Sequence, residues 1–475
     1  MKHRGRHRRR RRARALRAAL AGTALSLTAA ATLISASQAQ VTEGPGPLRA
    51  LDSPAARSQL RLTEHRVPAH WLDRLSSAMG RPVGAETVLA SADRVLRDAD
   101  DCAAEERAAL PVAPAATRAY CWGEDDTRGW RPGAVTTSAD ASADGRWGGH
   151  RVILSAWSSD GEDGHGSHDG SGGEDGRGAE DGRGPEGIRG DGDGPGGDAD
   201  AGPSPADRPL SRVAFVDADA PDRPRHVSAL LVVPVDGGRD YRGLASPVSG
   251  MVWYGDKLLV TAGAGDREAL YVYDMDRVLR ATVGAEAVGR VPGGWSAHGY
   301  RYVLPAVAAY RPADGAPRPA ALSLDRTADG AGVVAGERVP ADAGRPARLW
   351  RYALGEDPAR PGPLAADAAG HVDAVEAHET RAAGIGGLLA HRPPGSGRTG
   401  WYLTRAAHEP GGRAVLGRQD GTDAEVAECG ADRSKHCWSG EAGSLSYDRQ
   451  TGEVWSQSGR VLFAVPLASI DAALR

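Results

Sequence analysis

Apolar and polar residues alternate over three short stretches near the end of the chain, and turn residues separate these stretches. The segment Gly443–Leu467 reads GSLSYDRQTGEVWSQSGRVLFAVPL, which predicts a strand, a Gly-bearing turn, a second strand, another turn and a third strand. A weaker copy of this meander stands at Gly250–Met275. Since such a meander cannot bury its apolar face alone, its recurrence predicts an all-β fold of stacked meanders, a β-propeller.

Three further units with this pattern complete the series. Their first strands begin near residues 133, 320 and 386, and the five starts are nearly evenly spaced once an insert at residues 158–209 is set aside. The spacing predicts five four-stranded blades over residues 117–475, with six or seven blades, or a β-sandwich, as alternatives. Because the fifth unit has three strands, we expect a strand near Thr117–Trp122 to complete it.

The insert at residues 158–209 differs in composition from the rest of the chain. Gly, Asp, Glu and Ser dominate it, and Ile188 is its one large aliphatic residue. A calcium-binding glycine–aspartate repeat is an alternative, but that fold needs an aliphatic residue in each repeat. We therefore expect the insert to be disordered, because it buries too little apolar surface to offset the entropy of ordering.

The amino end has the pattern of an export signal. A basic stretch, Met1–Arg17, precedes the uncharged stretch Ala18–Ala36 and the small residues Ser37 and Ala39. This order predicts a secretory signal peptide over residues 1–39 and a secreted, extracellular protein. A leader that is not cleaved and anchors the chain in the membrane is the alternative, because nineteen uncharged residues approach spanning length.

Two regions follow the leader and precede the predicted blades. Residues 40–57 contain Pro and Gly and are expected to form a flexible lead-in. Residues 58–116 are predicted to be a short helical region, since Val67–Met79 and Ala85–Ala109 show helical spacing of apolar residues.

Charge and hydropathy narrow the range of partners. The chain has a net charge of −4, and the leader is strongly basic, so the mature protein is distinctly acidic. An acidic surface argues against nucleic acid as a general partner. No later segment is long and apolar enough to span a bilayer, and we expect a monomer.

The four cysteines form two local pairs, Cys102 with Cys121 and Cys429 with Cys437. In an exported chain an even number of cysteines predicts disulfides, and pairing of nearest neighbours is the simplest connectivity. A zinc site is the alternative, but the short C-x-x-C spacing is absent.

The motifs of common catalytic sites are missing from the sequence. His378-Glu379 does not continue to H-E-x-x-H, and Gly294-Trp295-Ser296-Ala297-His298 lacks the closing Gly of a nucleophile elbow. In the run His371–Glu379, Glu376 and His378 are expected on one face of a strand and His371 with Asp373 on the other. We therefore predict no catalytic residue and no cofactor.

Two sets of residues remain as candidates for binding. Asp140 and Asp144 could hold calcium at a hairpin tip, with a plain Asp-Gly turn as the alternative. Trp130, Trp147 and Trp295 could stack on a ligand, with packing between blades as the alternative for each.

The chain resembles a known group of proteins from about Arg118 to its end. The motifs that carry the resemblance are RVILSAW, RVAFVDAD, VWYGDKLLV, GYRYVLP, LSLDRT and LSYD. They are similar to uncharacterised secreted β-propeller-like proteins of high-GC Gram-positive bacteria. That group has a His-Ala-Gly-Gly approach to the VWYG strand, whereas this chain has Val248-Ser249-Gly250. The resemblance implies the fold and no particular activity.

Two functions follow from these expectations. The first is an exported, non-enzymatic binding or scaffold protein that holds a cell-envelope glycan, peptide or protein. The second is a propeller-type hydrolase, lyase or lactonase with a metal site in the central channel. Convergence of carboxylates and imidazoles on the axis would favour the enzyme.

Overall fold

The structure is a computed structural model that describes residues 44–159, 209–263, 268–355, 357, 360–407, 412–427 and 437–474. Strands account for 43% of it and helices for 15%, so the predicted all-β class is confirmed. The predicted signal peptide and residues 160–208 of the predicted insert lie outside the described residues. Within the described ranges, no helix has the length and apolar character needed to cross a bilayer. All elements below belong to the compact unit 47–475.

Short strands and helices alternate before Trp130. These elements are β1 (Arg49–Ala50), α1 (Pro54–Ser58), β2 (Leu62–Arg66), α2 (Ala69–Met79), α3 (Ala85–Ala90), β3 (Arg94–Val95), β4 (Arg97–Asp98), α4 (Ala104–Ala108), β5 (Arg118–Cys121) and α5 (Glu124–Thr127). Helix α2 buries Leu72, Leu75 and Met79, whose spacing places them on one face. It ends at Gly80, whose φ of 103° suits glycine.

The structure refines one expectation for this region and corrects another. The helical spacing over Ala85–Ala109 corresponds to two short helices: α3 ends at Ala90, where the Ser91 hydroxyl donates to the carbonyl of Val88 at 2.7 Å, and α4 begins at Ala104. Between them the chain becomes extended, and β3 pairs with an interior strand of the fold. The flexible lead-in, predicted over residues 40–57, is wrong where β1 (Arg49–Ala50) and the first four residues of α1 form regular structure.

The first half of the strand-rich region contains twelve strands. They are β6 (Trp130–Thr137), β7 (Val152–Ser159), β8 (Ser211–Asp217), β9 (Arg225–Val235), β10 (Asp240–Gly243), β11 (Met251–Tyr254), β12 (Lys257–Thr261), β13 (Leu270–Asp274), β14 (Leu279–Arg280), β15 (Val288–Val291), β16 (Gly294–Ala297) and β17 (Tyr302–Pro312). Two antiparallel runs form here, β6-β7-β8-β9 and β11-β12-β13-β17. We call them the first and second runs. Ser158 and Ser159 belong to β7, so the predicted insert began two residues too early.

The second half continues the pattern. Its elements are β18 (Ala321–Asp325), β19 (Gly332–Gly336), β20 (Ala347–Ala353), β21 (His371–Val372), β22 (Ala374–Thr380), β23 (Ile385–His391), β24 (Gly400–Arg405), β25 (Val415–Gln419), β26 (Ala424–Val426), β27 (Ser446–Asp448), β28 (Glu453–Ser458), β29 (Val461–Pro466) and α6 (Leu467–Ala473). The third run is β18-β19-β20-β22, and the fourth is β23-β24-β25-β26. In the fifth run, β27-β28-β29 is completed by β5, which pairs with β29 in the antiparallel sense. The strand expected near Thr117–Trp122 is therefore confirmed as the fourth strand of the last unit.

The first two runs join into one larger sheet. Strand β9 pairs with β17 in parallel, with Ala229 opposite Tyr302 and Val232 opposite Pro305. The resulting path of eight strands runs from β11 to β6 and is nearly closed into a barrel shape. Shorter strands extend the outer edges: β3 and β10 lie on β9, β2 and β14 on β17, β1 on β22 and β4 on β5.

Hydrophobic clusters fill the spaces between successive runs. Each cluster contains buried residues from two runs: Phe215 and Trp253 for the first and second, Val272 and Trp350 for the second and third, Leu349 and Leu403 for the third and fourth, Leu416 and Phe463 for the fourth and fifth, and Trp455 and Trp157 for the fifth and first. Because the last cluster connects the fifth run back to the first, the packing order of the runs is cyclic.

Candidate functional site

A buried arginine and an aromatic wall form the core of the best candidate site. Strand β6 begins with Trp130, and strand β8 carries Arg212. The Arg212 guanidinium carbon lies 4.4 Å from the ring centroid of Trp130 and 5.1 Å from that of Tyr300. The rings of Trp130 and Tyr300 are 5.8 Å apart in an edge arrangement. These contacts are cation–π interactions, which strengthen when the cation is removed from water.

Hydrogen bonds satisfy only part of Arg212. Its Nη1 donates to the Tyr300 hydroxyl at 2.7 Å, and its Nη2 donates to the carbonyl of Asp126. The residue is 6% exposed, and this burial lowers the pKa of its guanidinium. Within the described ranges, its Nε has no hydrogen-bond partner. A buried polar group without a partner is uncommon and indicates a place where a ligand or water can bind.

A buried histidine lies beside this arginine. His226 of β9 is 3% exposed, and its Nε2 lies 3.5 Å from Oδ2 of Asp126. That separation is long for a hydrogen bond, and the described part of the chain offers neither ring nitrogen a closer partner. The ring of Trp122 packs against the histidine at 4.7 Å between centroids.

Asp126, on α5, connects the arginine and the histidine. Burial opposes its ionisation, but the neighbouring His226 ring and the charges of Arg94 and Arg212 hold the pKa of its carboxyl below the usual value. Arg94 of β3 forms an ion pair with the same carboxylate. Asp126 is therefore ionised at neutral pH and fixes the three cationic or imidazole groups around it.

These groups open into a cleft of about 400 Å³, which we call the Arg212 cleft. Its wall is formed by segments that are distant in sequence, and includes Asp93, Arg94, Asp125, Asp126, Trp130, Arg212, His226, Ser228, Thr282, Tyr300 and Arg301. At the rim, Arg301 pairs with Asp93 at 3.2 Å. A wall that combines an aromatic face with charges of both signs suits a polar ligand that has an apolar ring face.

The three tryptophans predicted to stack on a ligand occupy different places. Trp130 lines the Arg212 cleft. Trp147 is 8% exposed and stacks on Phe215 at 5.4 Å between centroids. Trp295 is 6% exposed and stacks on Tyr241 at 5.5 Å. Trp147 and Trp295 are packing residues, so the ligand-stacking expectation for these two is corrected.

Asp140 and Asp144 do not converge on a cation. Asp140 ends a short 3₁₀ turn, and its Oδ1 lies 2.6 Å from Nε of Arg326 and 3.3 Å from Nε of Arg449. Asp144 is exposed and accepts from the Ser142 hydroxyl and, at 3.2 Å, from the backbone N–H of Arg146. Two guanidiniums already neutralise the first carboxylate, and the second belongs to a turn. These contacts favour the plain turn over the calcium site.

The arginines at Asp140 come from other runs. Arg326 directly follows β18 of the third run, and Arg449 directly follows β27 of the fifth. Asp140 follows β6, so ends of the first strands of three runs meet at this carboxylate. Burial raises the pKa of Asp140 in spite of the two arginines. The ion pairs of Asp140 with Arg326 and Arg449 connect the ends of these three strands.

The disulfide predictions have different outcomes. Cys102 and Cys121 are bonded, as predicted. Cys437 is fully buried, but Cys429 lies outside the described residues, so the second pair stays a prediction.

The run His371–Glu379 spans β21 and most of β22, and Glu376 and His378 share a face of β22 as expected, whereas His371 and Asp373 lie outside β22. Nε2 of His378 lies 2.8 Å from Oε1 of Glu376, and Nε of Arg351 lies 3.0 Å from Oε2. Arg351 also pairs with the fully buried carboxylate of Asp325 at 2.5 Å. This network connects three strands of the third run, β18, β20 and β22, and is a structural element.

Sequence reasoning missed Arg212, His226 and Tyr300. Arg212 is the first residue of the stretch RVAFVD and His226 the second of RHVSALLV, and a charged or polar residue at the start of an apolar strand is the one signal that could have identified them. No protein-family model and no curated protein matches the chain.

Proposed function

We propose that the chain is an exported β-propeller of five blades. Five antiparallel runs, five clusters in cyclic order and the pairing of β5 with β29 support this arrangement. Glycines at the first strands support it further. A Cβ on Gly386 of β23 would lie 1.9 Å from the carbonyl oxygen of Ala442, just ahead of β27, so neighbouring first strands approach as closely as strands near an axis must.

We infer that the protein binds a ligand in the Arg212 cleft without transforming it. One observation carries this proposal: Nε of Arg212 and both ring nitrogens of His226 are buried at an open cleft, and the described part of the chain gives them no hydrogen-bond partner. Such groups have lost their hydrogen bonds to water, which costs free energy. A ligand that forms hydrogen bonds with them offsets this desolvation cost.

A cell-envelope glycan is the ligand class that fits this cleft best. A sugar ring can lay its apolar face on Trp130, and its hydroxyls can bond to the carboxylates and guanidiniums of the rim. An extended peptide would instead need an unpaired strand edge or a long groove. Export of the chain, which we propose from its leader, places the cleft where such glycans occur.

The enzyme alternative has less support. A metal in the channel would need free carboxylates or imidazoles near the axis. At the strand ends where Asp140 lies, two guanidiniums occupy its carboxylate. Because this carboxylate is already paired with arginines, the charges at these strand ends support a binding function better than a metal-dependent enzyme.

Trp130→Ala tests the glycan proposal. Soluble cell-wall glycan fragments are titrated into the wild-type protein and the variant by calorimetry. We expect the variant to bind about tenfold or more weakly, because the stacking contact between the sugar ring and the Trp130 indole is lost while the fold is kept. Trp71→Ala is the matched control, since Trp71 is also partly exposed but lies on α2, outside the cleft. Wild-type protein that binds no fragment, or equal affinity in Trp130→Ala, would overturn the proposal.

A further inference from the structure

A second and larger cavity lies between the second and third runs. We call it the basic cavity, and its volume is about 880 Å³. Ser249, just before β11, and Ala320, just before β18, form part of its floor. Their contact is direct, because the Ser249 hydroxyl donates to the carbonyl of Ala320. The cavity therefore opens where the first strands of two neighbouring runs begin.

Arginines dominate the charged lining of the basic cavity. Arg318, Arg338, Arg345 and Arg348 face it together with Asp314 and Glu337. Glu337 is 4% exposed and fully engaged: Arg345 donates to its two oxygens at 2.9 and 3.3 Å, and the backbone N–H of Arg348 donates at 3.0 Å. This carboxylate neutralises Arg345, and both of its oxygens are already engaged, so it does not pair with the other guanidiniums of the cavity.

Two of the remaining arginines have free side chains. Nη1 of Arg318 donates to the carbonyl of Glu268 at 2.8 Å. The side chains of Arg338 and Arg348 form no hydrogen bond or ion pair with any described residue. Two guanidiniums that pair with no described residue therefore line an open cavity whose acids are Glu337, which is already paired, and the exposed Asp314.

We propose that the basic cavity is a binding site for a multiply charged oxyanion, carrying phosphate or carboxylate groups. Guanidinium groups offer paired N–H donors that match the oxygens of both groups, so Arg338 and Arg348 together fit a ligand with two or more negative charges. The volume of the cavity is within the range of small-molecule sites. This site is separate from the Arg212 cleft, because the two share no lining residue.

Calorimetric titration tests the proposal with two probes, inorganic pyrophosphate and a linear tricarboxylate, at physiological ionic strength. Screening by salt weakens binding to scattered surface charges more than binding to a built site. We expect at least one probe to bind the wild-type protein. Pyrophosphate alone would assign the site to phosphates, the tricarboxylate alone to carboxylates, and both to oxyanions in general; each outcome supports the site.

Matched variants identify where the probe binds. The double variant Arg338→Ala/Arg348→Ala should bind about tenfold or more weakly. Arg81→Ala/Arg290→Ala removes the same charge outside the cavity and should bind as the wild type does. Arg338→Lys/Arg348→Lys keeps the charge without the paired donors and should fall between them. Absence of binding by both probes, or equal weakening in the control variant, would overturn the proposal. Trp130→Ala should bind the probe normally, so this result is independent of the glycan experiment.

Discussion

The guanidinium of Arg212 lies 4.4 Å from the ring centroid of Trp130, and the two side chains lie where β6 and β8 begin. Tyr300 holds the same guanidinium through a hydrogen bond of 2.7 Å and ring contact. The arginine therefore fixes the aromatic wall of the cleft in one orientation. A ligand that stacks on this wall meets a surface that is already ordered, which lowers the entropic cost of binding.

Replacement of Arg212 should weaken the fold as well as the cleft. Arg212→Met keeps the length and the apolar stem but removes the charge and both donors. We expect the free energy of unfolding to fall by about 2–4 kcal/mol, since the Tyr300 hydroxyl and the Asp126 carbonyl lose their partner and the cation–π contacts disappear. Urea denaturation followed by tryptophan fluorescence measures the change. Arg239→Met is the control: its ion pair with Asp236 is exposed and should contribute little. Equal stability of the two variants would contradict the structural role of Arg212.

Removal of Asp140 should destabilise the protein by a different route. Asp140→Ala leaves Arg326 and Arg449 close together without their shared carboxylate. We expect a loss of about 1–2 kcal/mol, reduced because both arginines are about one-third exposed. Asp140→Asn should lose less, since the amide oxygen still accepts. Millimolar calcium should leave the melting temperature of the wild type unchanged, and a rise that Asp140→Ala abolishes would restore the calcium hypothesis.

The alternation of apolar and polar residues predicted many of the strands but not all of them. The strands RVILSAW and RVAFVDAD correspond to β7 and β8, because buried apolar runs between turn residues are distinctive. Strand β22 is not distinctive in this way. Its polar residues Glu376 and His378 bond to each other, and Glu376 also accepts from Arg351 on the neighbouring strand, so polarity there does not mean exposure.

The Arg212 cleft was beyond prediction for a related reason. Arg212 meets Asp126 and Tyr300, which lie 86 and 88 positions away in sequence. Sequence gives the residue types of such a cluster but not their distances, which depend on how α5 crosses the strands. Trp130 was identified because a tryptophan offers a large stacking surface whatever its neighbours in space.

Stability should fall in acid through Glu376. The hydrogen bond from His378 lowers the pKa of its carboxyl to about 2, from an ordinary value of 4.5, with burial opposing and Arg351 assisting the shift. A carboxyl whose pKa is lower in the folded state stabilises the fold above pH 4.5, and this contribution is lost as the pH falls towards 2. Urea denaturation across this pH range should show a shallower fall in stability for Glu376→Gln than for the wild type. Glu105→Gln, at an exposed position, should follow the wild type. Parallel curves for all three proteins would contradict the argument.

The close approach at Gly386 gives a test of how the first strands pack. In Gly386→Ala, the new methyl group would meet Ala442, whose carbonyl oxygen and carbonyl carbon are backbone atoms and cannot move aside as a flexible side chain would. We expect a loss of about 1–3 kcal/mol or more, typical of overpacking in a tight interior. Gly397→Ala is the matched control, since its Cβ would meet no atom within 4 Å. Thermal unfolding compares the two variants, and equal melting temperatures would show that β23 and the segment before β27 are farther apart than described.

The disulfide between Cys102 and Cys121 should protect the closing strand of the fifth run. Strand β5 has four residues and pairs with β29 on one side and with the two-residue β4 on the other, so few backbone hydrogen bonds hold it. The bond closes a loop with a sequence separation of 19, and cross-links of this length restrict the unfolded chain by about 3 kcal/mol. In Cys102→Ser/Cys121→Ser we expect a stability loss of that order. Amide exchange should also speed up in β5 and β29 before other strands are affected, because the loosened strand opens locally. If exchange instead rises uniformly over all five runs, the bond stabilises the whole protein without any special role in closure.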